Sequence, residues 1–202
     1  MPSLRNTRAG YGLVTVTLHW LTVAALAAQL AIGWTMDADA AAERAEEQAE
    51  VAEDRADDTA GEEVAEEAAD AAADRDYVVG LGDGLDLLDV HVTLGVLILV
   101  LAFTRIVWRR VGGLPDWAQA LSPGERKLAT LTERALLSAL IVAPATGLVL
   151  VLGQDDDLLW LHVASHLVLY AALVAHLGLV LWHTAVRRDR LLGRMLRVVD
   201  HR

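Results

Sequence analysis

The chain has 202 residues, a net charge of −11, 54% hydrophobic residues and no cysteine, and its mean hydropathy is +0.37. The lack of cysteine excludes disulfides, thiolate zinc sites, iron–sulfur clusters and covalent c-type haem attachment. Residues 37–76 hold 17 acidic and 3 basic residues, a net charge of −14, so the other 162 residues carry +3. The acidic total argues against nucleic acid as a partner.

Four long apolar runs predict transmembrane helices, because a hydrocarbon core of about 30 Å requires roughly 20 helical residues. The predicted spans are residues 13–36, 90–108, 128–152 and 158–186. Ser122-Pro123-Gly124-Glu125 has the pattern of a capping box before the third span, and the charges of Asp155–Asp157 suit the N-terminus of the fourth. The predicted fold class is all-α, an integral membrane four-helix bundle in which residues 1–202 form one domain.

Basic residues predict the orientation of these spans. If the chain alternates across the membrane, one side carries Arg5, Arg8, Arg109, Arg110, Arg126, Lys127, Arg187, Arg188, Arg190, Arg194 and Arg197. The positive-inside rule makes that side cytoplasmic, so we expect a plasma-membrane protein with both termini in the cytoplasm. The acidic segment 37–76 then forms a long extracytoplasmic loop between helices 1 and 2. Its composition predicts a solvated excursion, partly helical or disordered, with cation binding or partner docking as the alternative.

Histidines inside the spans are candidate functional residues, since ionisable groups within a membrane are costly. His162 and His176 lie 14 residues apart in span four, which separates them by about 21 Å along a helix but only about 40° around it. They therefore share one face at opposite leaflets. Span one carries His19 near its inner side, and span two carries Arg105 at its inner end. These positions predict an inner layer in which His19 faces His176, with Arg105 nearby.

An outer layer follows from the same interval. His91 lies at the outer end of span two and is predicted to face His162, with Gly33 and Gly95 leaving room for a flat, bulky group. Two imidazoles on opposed helices, small residues beside them and an arginine able to pair a carboxylate are what a six-coordinate haem b requires. The pattern predicts two haems b. Bound in opposite leaflets, they would provide an electron path across the membrane.

The other histidines of span four leave alternatives open. His183 lies next to Arg187 and Arg188 and is predicted at the membrane interface, near a haem propionate or a quinone headgroup. His162 and His166 are four residues apart, a spacing that also suits zinc or copper, but no carboxylate or third histidine is placed beside them. His166 is expected to form a hydrogen bond between helices.

Short motifs occur in order along all four spans. They are Leu18-His19-Trp20 and Gly33-Trp34, His91-x-x-x-Gly95 with Arg105 and Trp108-Arg109, Pro144-x-x-Gly147, and His162, His176 and His183 followed by Arg188-Asp189 and Arg194-Met195-Leu196. In this set the chain resembles the bacterial-type cytochrome b561 family.

The resemblance implies a di-haem membrane cytochrome b that exchanges electrons with the quinone pool in a respiratory-type chain. It implies haem iron ligands at His19, His91, His162 and His176, the same pairing that the spacing predicts. It leaves open whether the chain is also an oxidoreductase toward superoxide or another donor, which redox partner it has, and whether it forms a homodimer.

The chain departs from the family pattern in span three and near its end. Relatives usually carry a histidine and a tyrosine where this chain has Glu133 and Leu137, and many carry a second histidine where it has Thr184. These positions are not haem ligands in the family. The departures therefore bear on a substrate site rather than on haem binding.

Two other functions fit parts of the sequence. A cytochrome b subunit of a hydrogenase or a formate dehydrogenase is also rich in histidine and hands electrons to quinone, and it would co-purify with a large iron–sulfur partner. A cofactor-free transporter or membrane anchor would use the histidines for packing or proton transfer. That protein would be colourless, and it offers no reason for the repeated interval of 14 residues.

Overall fold

The computed structural model describes residues 3–8, 10–57, 86–117, 121–153, 158–188 and 192–196, and for residues 37–57 it describes the backbone only. Four long helices make up most of it: α1 (Leu13–Asp57), α2 (Leu87–Gly112), α3 (Pro123–Gly153) and α4 (Leu159–Leu181). A π-helical turn, Trp182–Arg187, continues α4, and a short helix α5 (Gly193–Leu196) follows. The described residues contain no strand, and the predicted all-α class is confirmed.

All four long helices contain stretches long and apolar enough to cross a membrane. These stretches are Leu13–Met36, Leu87–Gly112, Pro123–Gly153 and Leu159–Arg187. Large apolar side chains on their outer faces are exposed, among them Phe103, Leu167 and Val174. So much exposed apolar surface indicates a lipid environment rather than water. The predicted multi-pass membrane bundle is confirmed.

One apolar cluster joins the four helices at the centre of the bundle. Its buried members are Ala25 of α1, Ile98 and Ala102 of α2, Ala139 and Leu140 of α3, and Leu169 of α4. Small residues at three of the four helices let the backbones approach closely, which is how membrane helices gain packing energy in the absence of a hydrophobic driving force. Helix α1 packs on α2, α2 on α3, and α3 on α4.

The starts of α2 and α3 are set by side-chain caps. The Ser122 amide donates to Glu125 Oε2 at 2.7 Å, and the Glu125 amide donates to Ser122 Oγ at 3.4 Å. This reciprocal pair is the predicted capping box, and α3 begins at Pro123 as expected. Asp86 accepts a hydrogen bond of 2.7 Å from the Asp89 amide, so α2 begins at Leu87, slightly before the predicted span.

The N-terminal segment closes one end of the bundle through Asn6. Its Nδ2 donates to the carbonyl of Gly113, just after α2, and its Oδ1 accepts from the Gly12 amide and the Thr15 hydroxyl. The Thr15 hydroxyl also accepts from Trp108 Nε1 at 3.1 Å. One short side chain thus ties the start of α1 to the end of α2. Both helices carry residues of the predicted inner layer.

The acidic segment begins as a helix. Helix α1 does not end where its apolar part ends, at Met36, but continues to Asp57. The rest of the predicted loop, residues 58–76, lies outside the described residues. The same is true of the Asp155–Asp157 turn and of His201.

Candidate functional site

His19 of α1 and His176 of α4 face each other across the bundle. Their ring centroids are 6.5 Å apart and their ring planes are inclined by 60°. An imidazole nitrogen binds a metal ion at about 2 Å, so rings at this separation leave room for one ion between them. The buried Nδ1 atom of His19 has no hydrogen-bond partner among the described residues. The structure therefore brings together the two histidines predicted for the inner layer, in an arrangement that suits axial ligation.

An arginine lies beside this inner pair. Arg105 of α2 interacts electrostatically with both His19 and His176. One turn later on α2, Arg109 forms an ion pair with Glu133 of α3. Glu133 pairs with Arg109 and also interacts electrostatically with Arg105, whose positive charge lies next to the histidines. An arginine at this position can form an ion pair with a carboxylate of a group bound in the inner layer.

Tyr11 and Arg194 cover the same end of the bundle. The guanidinium carbon of Arg194 lies 5.9 Å from the centroid of the Tyr11 ring. Burial raises the pKa of the Tyr11 phenol, and the positive charge of Arg194 opposes this shift. Trp20 Nε1 donates to the carbonyl of Met195 at 3.0 Å, which fixes α5 against α1. These contacts close the bundle at the end nearest the inner histidine pair.

In the outer layer, His162 is held by α3. Its Nδ1 lies 2.9 Å from the carbonyl oxygen of Ala143 and 3.1 Å from Thr146 Oγ1. An imidazole that donates from Nδ1 to a carbonyl keeps Nε2 as its lone-pair atom, the usual arrangement of a metal-ligating histidine. A Cβ placed on Gly147 would lie 2.9 Å from His162 Cε1, so only glycine gives the ring this position. The donor set fits an axial ligand.

His91 lies against Gly33, where α1 and α2 approach each other. A Cβ on Gly33 would lie 3.6 Å from His91 Cε1. One turn further along α2, Gly95 is buried, and a Cβ there would lie 3.6 Å from the Pro144 side chain and 3.9 Å from Gln29 Nε2. The structure thus places Gly33 beside His91 and Gly95 at a close approach of three helices. The pairing of His91 with His162 stays a prediction.

His183 follows His176 along the chain, just after the end of α4. It sits in the π-helical turn, is fully buried, and has its Nε2 3.5 Å from Glu125 Oε1 in the first turn of α3. Arg187 Nη1 contacts the same oxygen at 2.6 Å. The structure thus places His183 at the predicted end of α4, but inside the bundle and against a carboxylate.

His166 stacks edge-on against His162, with 4.4 Å between the ring centroids. The predicted zinc or copper alternative at this pair would need further ligands. Within the part of the chain that the structure describes, no group of three or more histidine, cysteine, aspartate or glutamate side chains is placed to hold a metal ion.

Three residues around the site were not identified as site residues from the sequence. Gly147 was noted only as part of the Pro144-x-x-Gly147 motif, although that motif does signal a close approach in α3. Thr146, inside the same motif, contacts His162. Glu125 was assigned only to the capping box, and its contact with His183 had no signal in the sequence.

Comparisons with known proteins identify a family and one similar protein. Residues 10–197 match a family model described as prokaryotic cytochrome b561. The chain is also similar to a protein named cytochrome b562 from Cereibacter sphaeroides, at 37% identity over 109 residues, which cover 54% of this chain and 66% of that protein. The match thus spans slightly less than two thirds of this relative's length. No solved structure matches the chain.

Proposed function

The chain belongs to the prokaryotic cytochrome b561 family, and on this premise we propose that it is a membrane electron carrier with two bis-histidine haems b that exchanges electrons with the quinone pool. The observation that carries this proposal is the inner pair, His19 and His176, facing each other with 6.5 Å between ring centroids. One iron bound between two imidazoles from distant helices accounts for this spacing, whereas packing or proton transfer would not require it.

The second haem is proposed on helix geometry. His162 and His176 lie on one uninterrupted helix, α4, so their 14-residue interval corresponds to about 21 Å. The hydrogen bond from His162 Nδ1 to Ala143 prepares the outer histidine for ligation as well. We assign His91 as the ligand opposite His162.

Each haem, when bound, supplies an iron that changes its oxidation state by one electron. The protein supplies the rest. His19 with His176, and His91 with His162, would hold the two irons, and the apolar helices around them would exclude water. Arg105 would pair a propionate of the inner haem. Gly33 would leave room beside His91 at the outer haem, and Gly95 lets α2 approach α1 and α3 closely next to it. His183, which is buried against Glu125, would lie on the side of an inner propionate or a quinone headgroup.

The cellular setting is part of the same proposal. Arginines cluster at the end of the bundle that holds the inner pair. By the positive-inside rule, this clustering supports an orientation with both termini in the cytoplasm and the protein in the plasma membrane. Residues 1–202 form one cytochrome domain, with the acidic segment 37–76 as an insertion on the outer side. A homodimer and a further redox partner are compatible with this arrangement.

Quinol should reduce the purified protein. Air-oxidised protein in detergent is mixed with a benzoquinol or a naphthoquinol, and the absorbance of the reduced haem is followed against a dithionite reference. We expect at least one quinol to produce most of the absorbance change that dithionite produces, because the histidine ligands lie within the membrane, where quinols dissolve. Reduction by dithionite alone, with neither quinol active, would contradict quinone exchange.

A pair of neighbouring variants localises this reaction. His183→Gln should slow reduction by quinol but not by dithionite, whereas Leu181→Ala, which changes an exposed side chain close by, should match the wild type. The dithionite spectrum also checks that each variant retains its haem. Equal quinol rates in all three proteins would remove His183 from the quinone site.

A further inference from the structure

A basic cavity opens on the outside of α3, away from the histidines. Its volume is about 330 Å³, which is within the range of small-ligand sites. Its lining includes Arg126, Lys127, Thr130, Leu131 and Arg134 of α3, together with Trp117 from the preceding loop. No acidic side chain is among the described residues that line it. The cavity therefore combines positive charge with an apolar rim.

The acidic neighbours of these basic residues are engaged elsewhere. Glu125, next to Arg126 in sequence, accepts hydrogen bonds from the Ser122 amide and from Arg187. Glu133, next to Arg134, forms its ion pair with Arg109. The positive charge of the cavity is therefore not cancelled by the carboxylates beside it along the helix. An anion is the complementary ligand.

The position of the cavity along α3 indicates that the anion is part of a lipid. Helix α3 has 31 residues and is roughly 46 Å long, so it exceeds a hydrocarbon core of about 30 Å. Its apolar part begins at Ala135, and Arg134 therefore lies at the edge of the hydrocarbon, with Lys127 and Arg126 about two turns further out. This is the level of lipid phosphates.

The surrounding side chains suit a lipid rather than a free anion. Leu131 is 67% exposed and Trp117 is 48% exposed, and both border the basic residues. A tryptophan at headgroup level and an exposed leucine beside it offer contacts to glycerol and acyl chains. Arg126 Nε donates to the Leu121 carbonyl, which fixes its guanidinium against the loop. Arg126, Thr130 and Arg134 recur every four residues on one face of α3.

We propose that this cavity, lined by Arg126, Lys127, Arg134 and Trp117, is a binding site for the phosphate headgroup of an anionic phospholipid. Basic pockets at the membrane surface bind such headgroups through direct charge–charge contacts. The site is independent of the histidine layers. A bound headgroup would hold this end of the bundle at the surface of a leaflet that contains anionic lipid.

Native mass spectrometry of the full chain, titrated with phosphatidylglycerol or with phosphatidylcholine of the same acyl chains, tests the proposal. The test variant is Lys127→Gln with Arg134→Gln, two exposed side chains outside the core. The control is Arg8→Gln with Arg110→Gln, which removes the same charge from exposed positions at the same end of the bundle. Inorganic phosphate at millimolar concentration is added as a competitor in a separate series.

We expect the wild type to prefer phosphatidylglycerol and the test variant to bind it more weakly, by roughly fivefold for each charge removed. The control variant should keep the wild-type affinity, and phosphatidylcholine binding should be the same in all three proteins. Equal losses in test and control variants would overturn the proposal, since the attraction would then be a property of the whole surface. If inorganic phosphate displaced all of the bound phosphatidylglycerol, the site would be one for a free anion rather than a lipid. This result would also overturn the proposal.

Discussion

Replacing His176 with alanine should remove one haem from the protein and leave the other in place. His176 is one of two imidazoles in the inner layer, and its partner His19 cannot hold a six-coordinate iron alone. The outer layer lies about 21 Å away along α4 and should keep its ligands. The expected haem content, measured by pyridine haemochrome per chain, falls to about half of the wild-type value.

Two further variants make this result specific. Leu177→Ala changes the neighbouring residue, whose side chain is half exposed to lipid, and it should keep the full haem content. Combining His176→Ala with His162→Ala should give a protein without haem. If the single His176 variant retained the wild-type haem content, the inner assignment would be wrong.

Gly147→Ala should weaken the outer layer through a single added methyl group. That carbon would lie 2.9 Å from His162 Cε1 and 3.4 Å from Nδ1, whereas carbon atoms pack favourably at about 3.5–4.0 Å. Either the ring moves and loses its hydrogen bond to the Ala143 carbonyl, or α3 and α4 separate. Loss of such a supporting contact typically lowers metal affinity about 10–100-fold. The rate of haem loss to apomyoglobin measures the change.

Gly124→Ala is the matched control for this substitution. Gly124 lies in the first turn of the same helix, and a Cβ there would have no neighbour within 4 Å among the described residues. Its haem should leave at the wild-type rate. Equal rates for the Gly147 variant and the wild type would mean that His162 does not need its observed position, and the assignment of His162 as a ligand would lose its support.

The spans and the inner pair are the parts of the structure that sequence patterns predict well. Span limits follow from the length of apolar runs, and the α3 start follows from a local capping box. The meeting of His19 and His176 was also predictable, because both residues lie within long α-helices and the 14-residue interval from His162 to His176 indicates which face of α4 carries the histidines. Periodicity is sufficient when the helix stays regular.

The contacts of His183 were not predictable for the opposite reason. Extrapolation with 3.6 residues per turn places His183 on the stripe of His176, but the chain adopts a π-helical turn from Trp182 onward. His183 contacts Glu125 at the start of α3, and this contact depends on how α4 packs against α3. The ion pair of Arg109 with Glu133 was likewise not predictable from the sequence, since it depends on the rotation of α2 relative to α3.

The local support of His162 required coordinates as well. The hydrogen bond to Ala143 uses a backbone carbonyl, which carries no sequence signal, and the need for Gly147 depends on how closely α3 approaches α4. The end of α1 was obscured because the Ala- and Glu-rich composition of residues 37–57 suits a helix as well as a solvated loop.

The most direct test of two haem layers is the haem content of the purified protein in detergent. A dithionite-reduced minus air-oxidised spectrum, with pyridine haemochrome quantitation per chain, should show low-spin b-type haem at close to two non-covalent haems per chain. A colourless protein from haem-replete cells, or a content of one haem per chain with all four histidines intact, would contradict the account.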